Sequence, residues 1–419
     1  MVLSHHLLVR FALCLGFGGV LEAATLPQEV YVWQRAWTEP VRRAVVEHGK
    51  VFSKIIALKA EVTWQGGKPL LVQIPVDYSS LIRTERPAGL ALRIGPYSGS
   101  FRTDASITYL ADLSQKLLVD AQTGGMKVTE LQLDFDCASS KLDGYRAWAE
   151  VIRARVAPMP LVITALPAWL DEPGFKSLVQ ATDGYVLQVH SLERPKSFDA
   201  AFNLCDPTTA RRAVAKAAEL GIPFRVALPT YGYLMAFDVN GRFIGLSAEG
   251  PAKAWPAEAR VKEVRADPLE IAHLVQEWSS NTPPALKAVV WYRLPVAGDT
   301  LNWRWPTFST ILESRIPRKS VRVEAHRVET GLIEIGLVND GELDISSRLA
   351  VKARWSGARL VAGDGLHGFQ MADRDFSSAK FGTGGRPYRL PAGEQQVIGW
   401  LRLDQDREVR VEIDDLDAR

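Results

Sequence analysis

Cysteine is scarce in this 419-residue chain: Cys14, Cys137 and Cys205 are the three, and no Cys-x-x-Cys pair is present. Gly-x-Ser-x-Gly, a Walker loop and His-Glu-x-x-His are also missing, which removes the usual serine-hydrolase, nucleotide and zinc-protease signatures. No metal and no cofactor is therefore expected. An excess of one charge is lacking too. The formal net charge is +2, with Lys and Arg spread among Asp and Glu, so no basic face would concentrate nucleic acid or anionic lipid. Past residue 24 no apolar run approaches the roughly 20 residues of a transmembrane helix, so the mature chain is expected to have no such segment. No internal repeat stands out beyond an alternation of strand and helix patterns.

What is present points to two folded units. Hydrophobic residues make up 47% and charged residues 23%, enough apolar surface for a sizeable core and average for a globular protein. A β/α barrel takes roughly 250 residues, which leaves room for one accessory domain. His5, His6 and Arg10 lead into the apolar run Phe11–Leu21 and then Ala23 and Ala24, the plan of a signal peptide over residues 1–24. Export to the periplasm or the outside follows. Cys14 lacks a small residue immediately upstream, so a lipid anchor is not expected there.

Over residues 25–316, Val/Ile/Leu-rich runs alternate with helical patterns eight times, the rhythm of parallel strands joined by helical crossovers. Val30–Trp33, Lys54–Lys59, Leu90–Gly95, Val128–Asp136, Leu161–Leu166, Tyr185–His190, Phe224–Leu228 and Ala288–Arg293 are the strand candidates. Their near-continuous apolar texture suits strands covered on both faces. One helix is marked by Asp206 as cap, Pro207 in the first turn and Gly221 beyond Leu220. Another, about 142–156, aligns Tyr145, Trp148, Ala149 and Ile152 on one stripe. Trp64-Gln65-Gly66-Gly67-Lys68 reads as a hairpin inserted after the second strand. The fold class is thus an α/β protein, a (β/α)8 TIM barrel. Residues 317–419 change to alternating short strands, a β-sandwich-like domain, in which Gly363–Gly385 reads as a long loop.

In such a barrel, function collects where strands end at the C-terminal mouth. Strand four is richest: Gln132, Asp134 and Asp136 share one face, and Leu131, Leu133 and Phe135 the other. Two carboxylates at i and i+2 couple, so one can hold a proton while the other stays ionised. The competing reading is a structural pair satisfied by backbone donors or Arg93. Further inward candidates are Trp33 and Arg35 on strand one, Gln188 and His190 on strand six, and Arg293 on strand eight. His190 could serve as an acid or base because imidazole titrates near neutrality, against the plain alternative of a hydrogen-bonded structural histidine. Tyr97, Tyr231 and Trp291 could form a platform for a sugar ring.

These motifs, in order, resemble glycoside hydrolase family 18, the chitinases and chitinase-like lectins. Leu92-Arg93-Ile94-Gly95-Pro96-Tyr97-Ser98-Gly99-Ser100 is similar to the family's third-strand Ser-x-Gly-Gly motif, with Arg93 and Pro96 as replacements. Leu133-Asp134-Phe135-Asp136 resembles the later part of Asp-x-x-Asp-x-Asp-x-Glu, Pro229-Thr230-Tyr231-Gly232 the seventh-strand motif, and Val290-Trp291-Tyr292 the eighth strand. The first Asp of the signature falls on Leu131, and the glutamate that is the family's general acid falls on Ala138. The resemblance implies a divergent bacterial family of chitinase-like barrels. The matched motifs imply catalytic roles for Asp134, Asp136 and Tyr231 and substrate contacts for Arg93, Tyr97 and Trp291, while strand-end position adds His190, as the reserve for the missing acid, and Gln188, Arg293 and Trp33 as further substrate contacts. The expected partner is a polysaccharide or oligosaccharide, and the expected activity a glycoside hydrolase on an amino-sugar-containing or other cell-envelope polysaccharide. A non-catalytic glycan-binding protein, or a scaffold whose β-domain binds a protein, are the alternatives. Cys137 and Cys205, the cysteines left after signal removal, are expected to form a disulfide, two buried free thiols being the other outcome.

Overall fold

The computed structural model describes residues 26–102, 105–248 and 254–416; the signal-peptide reading and Cys14 lie outside them. Eight parallel strands close on one another: Gln28–Val32, Lys54–Gln65, Ala88–Ile94, Val128–Phe135, Leu161–Ala165, Tyr185–Gln188, Phe224–Pro229 and Leu286–Tyr292, numbered here one to eight. Strand one pairs with strand eight on one side and strand two on the other, which closes the sheet. The protein is a (β/α)8 barrel, as the strand-and-helix alternation implies. Both faces of each strand are covered, and Val30, Ile56, Leu92, Leu133, Ile163 and Val226 are sealed from solvent.

The helices obey the local signals. Pro207–Glu219 starts where the Asp206 carboxylate accepts the Thr209 amide at 2.7 Å, and ends before Gly221 at φ 67°. Leu142–Val156 buries Tyr145, Trp148, Ala149 and Ile152, and Trp148 meets Phe135 of strand four with ring centroids 5.4 Å apart. The hairpin after strand two forms through Gly66 and Gly67, both at positive φ, a turn that side-chain-bearing residues resist.

Two features were not legible in the sequence. Between strands seven and eight the chain makes a three-stranded antiparallel sheet of Gly232–Phe237, Phe243–Ser247 and Arg260–Arg265. The stretch Gly363–Gly385, expected to be a loop, contains strands Gln370–Ala372 and Ser378–Gly382 and the end of Leu360–Gly365. Gly363 and Gly365 serve close packing: a Cβ on Gly365 would lie 2.1 Å from the Phe369 carbonyl oxygen. Beyond residue 316 the described strands build two four-stranded antiparallel sheets and one two-stranded sheet, and none of these includes a barrel strand. Ile333, Ile335 and Ile398 from one large sheet pack with Val351 and Phe381 from the other. Polar contacts bridge to the barrel, among them Arg315 to Glu342 at 2.9 Å and Arg304 to Glu394 at 3.0 Å.

The barrel interior is polar at its N-terminal end. Arg225 of strand seven donates to Glu29 of strand one at 2.6 Å and to Glu130 of strand four at 2.9 Å, and Lys54 of strand two meets Glu130 at 2.5 Å. Gly89 of strand three leaves the room, since a Cβ there would lie 2.8 Å from Glu130 Cγ. Above this layer Gln132 donates to Glu130 and accepts from the Tyr31 hydroxyl at 2.7 Å. The polar column stands directly beneath the mouth.

Candidate functional site

At the C-terminal mouth a cleft of about 150 Å³ is lined by side chains from all strands except the second, with Tyr31, Trp33, Arg93, Asp134, Asp136 and Thr164 on one side. Val186, Gln188, His190, Ser191, Ala227, Tyr231, Tyr233 and Tyr292 complete it. Asp134 is buried and accepts the Thr164 hydroxyl at 2.8 Å, with Arg93 Nε 3.9 Å from its other oxygen. Burial raises the Asp134 pKa against the opposing pull of Arg93. Asp136 stands at the solvent-exposed rim, yet protein surrounds it on most sides. Desolvation first, then the Asp134 charge, push it up to about 6, while Arg93 acts the other way. The two carboxylates titrate as a pair.

The opposite wall is a hydroxyl relay. Tyr231 and Tyr233 hydroxyls are 2.9 Å apart, Ser191 Oγ is 2.8 Å from Tyr233, and Tyr231 reaches His190 Nδ1 at 3.4 Å. Trp33 and Tyr292 rings lie 5.4 Å apart and make the aromatic floor with Tyr31. Gln188 is oriented by donating to the His190 carbonyl at 3.2 Å.

Asp134, Asp136, Arg93, Gln188, His190, Tyr231 and Trp33 therefore come together, whereas other expected contacts do not. Trp291 faces outward, sealed between Trp303 and Phe308, and donates to Gln28 Oε1 at 2.7 Å. A register shift near Ala288 accompanies this, and Tyr292 takes the inward place. Tyr97 leaves the strand after Gly95-Pro96 and packs among Trp64, Phe101 and Trp148 outside the barrel wall. Arg293 turns away to Asp299 at 2.6 Å and the Ala248 carbonyl. His190 lines the cleft, but burial holds its pKa down at about 3. Burial thus favours the neutral imidazole near neutral pH, which counts against the proton-donor role expected of it.

The disulfide is also absent: Cys137 and Cys205 are buried free thiols, each pushed up to about 12 by burial. Trp169, from the segment after strand five, donates to the Cys137 carbonyl and covers it. The loop after strand six folds back on itself through the Ser191 amide and Leu204 carbonyl at 2.7 Å, and Asn203 beside Cys205 donates to Glu270, in the helix before strand eight, at 3.2 Å. Alkylation followed by mass spectrometry should leave both residues unmodified in the native protein and label both after denaturation without reductant.

Residues overlooked in the sequence include Glu61. An extra residue in strand two, Lys59, shifts the register between Leu58 and Ala60, and this bulge turns Glu61 onto the face of its partner Arg93. No local pattern marks such a bulge.

Residues 86–297, just over half of the chain, match the sequence family described as Domain of unknown function (DUF3142). The chain belongs to this family. The matched span contains every residue that lines the cleft from Arg93 to Tyr292, twelve in all, and leaves Tyr31, Trp33 and strands one and two outside. No curated protein matches the chain. Among solved structures, the chain is similar to a chitinase from Chromobacterium violaceum ATCC 12472 at 12% identity and TM-score 0.49, covering 69% of this chain and 98% of that one. It is similar to the Bacillus cereus spore cortex-lytic enzyme SleL at 11% identity and TM-score 0.48, with 70% and 74% covered. A class V chitinase from Nicotiana tobaccum gives 13% identity and TM-score 0.47, with 69% and 98% covered. Likeness at this level says nothing of activity. Among the described residues no helix is long and apolar enough to cross a membrane, and no group of three or more His, Cys, Asp or Glu is placed to hold a metal ion.

Proposed function

We propose that this DUF3142 protein is an exported carbohydrate-active barrel that cleaves glycosidic bonds in an amino-sugar-containing or other cell-envelope polysaccharide. The observation that carries this reading is the coupled Asp134–Asp136 pair in a cleft, with Asp136 displaced to about 6. Export rests on the residue pattern of 1–24. Protonated Asp136 gives its proton to the leaving glycosidic oxygen, the role left open by Ala138, while water adds its oxygen to the anomeric carbon in place of that group and releases the proton that restores Asp136. Asp134, fixed by Thr164 and Arg93, orients the reacting sugar, and Trp33, Tyr292 and Tyr231 frame its ring.

The sign of the pH dependence follows from which form reacts. An acid of pKa about 6 is lost as pH rises, so the rate should fall about tenfold per pH unit above that value. Turnover on a panel of cell-envelope and amino-sugar glycans across pH 4–9 measures it, beside a binding array. Ala138 favours a second reading, glycan binding without cleavage, because it places no carboxyl where the resembled family has its acid. Retention of glycans with no turnover at any pH would select it.

A further inference from the structure

We propose that Glu61 is a positioning residue, which sets the charge of the Asp134–Asp136 pair through Arg93, and that Arg35 restrains it. Barrel register makes the row: Glu61 is the Cα partner of Arg93, and Arg93 of Asp134, so three charges of alternating sign stand side by side across strands two, three and four. Arg93 Nε is 3.9 Å from Glu61 and 3.9 Å from Asp134, an equal division between two carboxylates. Arg35, just beyond strand one, clamps Glu61 from the far side with two hydrogen bonds of 2.6 and 2.8 Å. Glu61 is therefore drawn away from Arg93 by its closer partner.

The other groups around the pair leave the lever with Arg93. Thr164 of strand five is neutral, His190 beyond strand six is held neutral by burial, and Tyr31, Tyr231, Tyr233 and Tyr292 are phenols. Lys141, after strand four, is engaged by the Tyr97 carbonyl. Glu61 adds to the upward displacement of Asp134, behind desolvation, and Arg93 opposes it. Removing the Glu61 charge leaves Arg93 to the pair alone, and removing Arg35 frees Glu61 to close on Arg93.

The inference rests on the proposed function only in taking this pair as the working site, so its test is a direct titration. Carbon-13 NMR of the aspartate carboxyls in the full chain, assigned with Asp134→Asn and Asp136→Asn, reads the midpoint without any substrate. Glu61→Gln should lower the midpoint by a few tenths of a pH unit up to about one, since it removes a like charge and leaves undivided the pull of an opposite charge that is worth about one unit or more at 4–6 Å. Arg35→Gln, a change at an exposed side chain, should raise it. Shifts of opposite sign support the proposal, and they do so even if the wild-type protein cleaves no glycan, in which case only the hydrolase reading falls. An unmoved midpoint, or two shifts in the same direction, overturns it. Should Glu61→Gln fail to fold, the Arg35→Gln midpoint decides: a rise supports the coupling, and no change or a fall refutes it.

Discussion

If the proposed hydrolase reading holds, Asp136→Asn is expected to lower turnover by about 10²- to 10⁴-fold, while thermal unfolding should stay within a degree or two of wild type. The magnitude is that of a lost general acid, about 3–5 kcal/mol in the barrier. Folding is spared because the side chain sits at the exposed rim, where an isosteric amide loses a charge that burial and Asp134 already disfavour. Initial rates on the best glycan from the panel, with a thermal melt of the same preparation, check both halves. A variant as active as wild type would remove Asp136 from the chemistry. A glycan-binding protein would instead show altered affinity and no wild-type rate to lose.

Arg225→Met is expected to destabilise the barrel by about 3–5 kcal/mol, the cost of leaving buried charges without their partner. Arg225 is 8% exposed and stands between Glu29 and Glu130, which are as deeply buried. Its guanidinium is held well above its usual pKa by the two carboxylates against the desolvation that would lower it. Burial alone would raise Glu130, yet Arg225 and Lys54 keep it below its ordinary value, whereas in Glu29 desolvation prevails and the pKa is raised. Lys54 alone cannot balance both once the arginine is gone. Urea denaturation gives the loss directly, and the combined change Arg225→Met, Glu29→Gln, Glu130→Gln should recover part of it by removing the stranded charges. If the combined variant is no better than Arg225→Met, the packing of the arginine stem matters and the charge does not.

These two residues differ in how visible they are. Asp136 could be singled out because alternation in strand four places it with Gln132 and Asp134 on one face, and that parity holds along one unbroken strand. Arg225, Glu29 and Glu130 lie in three strands far apart in sequence, and each alone reads as an ordinary charged residue. The same distance effect hid Ser191 and Tyr233, which join the expected Tyr231 and His190 only because the chain returns after strand seven.

What the amino-acid order determined by itself was whatever depends on short-range periodicity. The eight alternations, the Asp206 cap, the Gly66-Gly67 turn and the two faces of strand four all arise from steric and hydrogen-bonding preferences acting over a few residues. Tertiary structure alone decided the rest. A single extra residue at Lys59 reverses a strand's faces and brings Glu61 inward. Packing between Trp303 and Phe308 turns Trp291 out and leaves the cleft to Tyr292. Cys137 and Cys205 are buried apart from each other as free thiols, Cys205 in a loop that closes between Ser191 and Leu204. In each case one step of register or one loop path reassigns a side chain, because strand geometry has period two and neighbouring residues on it face opposite ways.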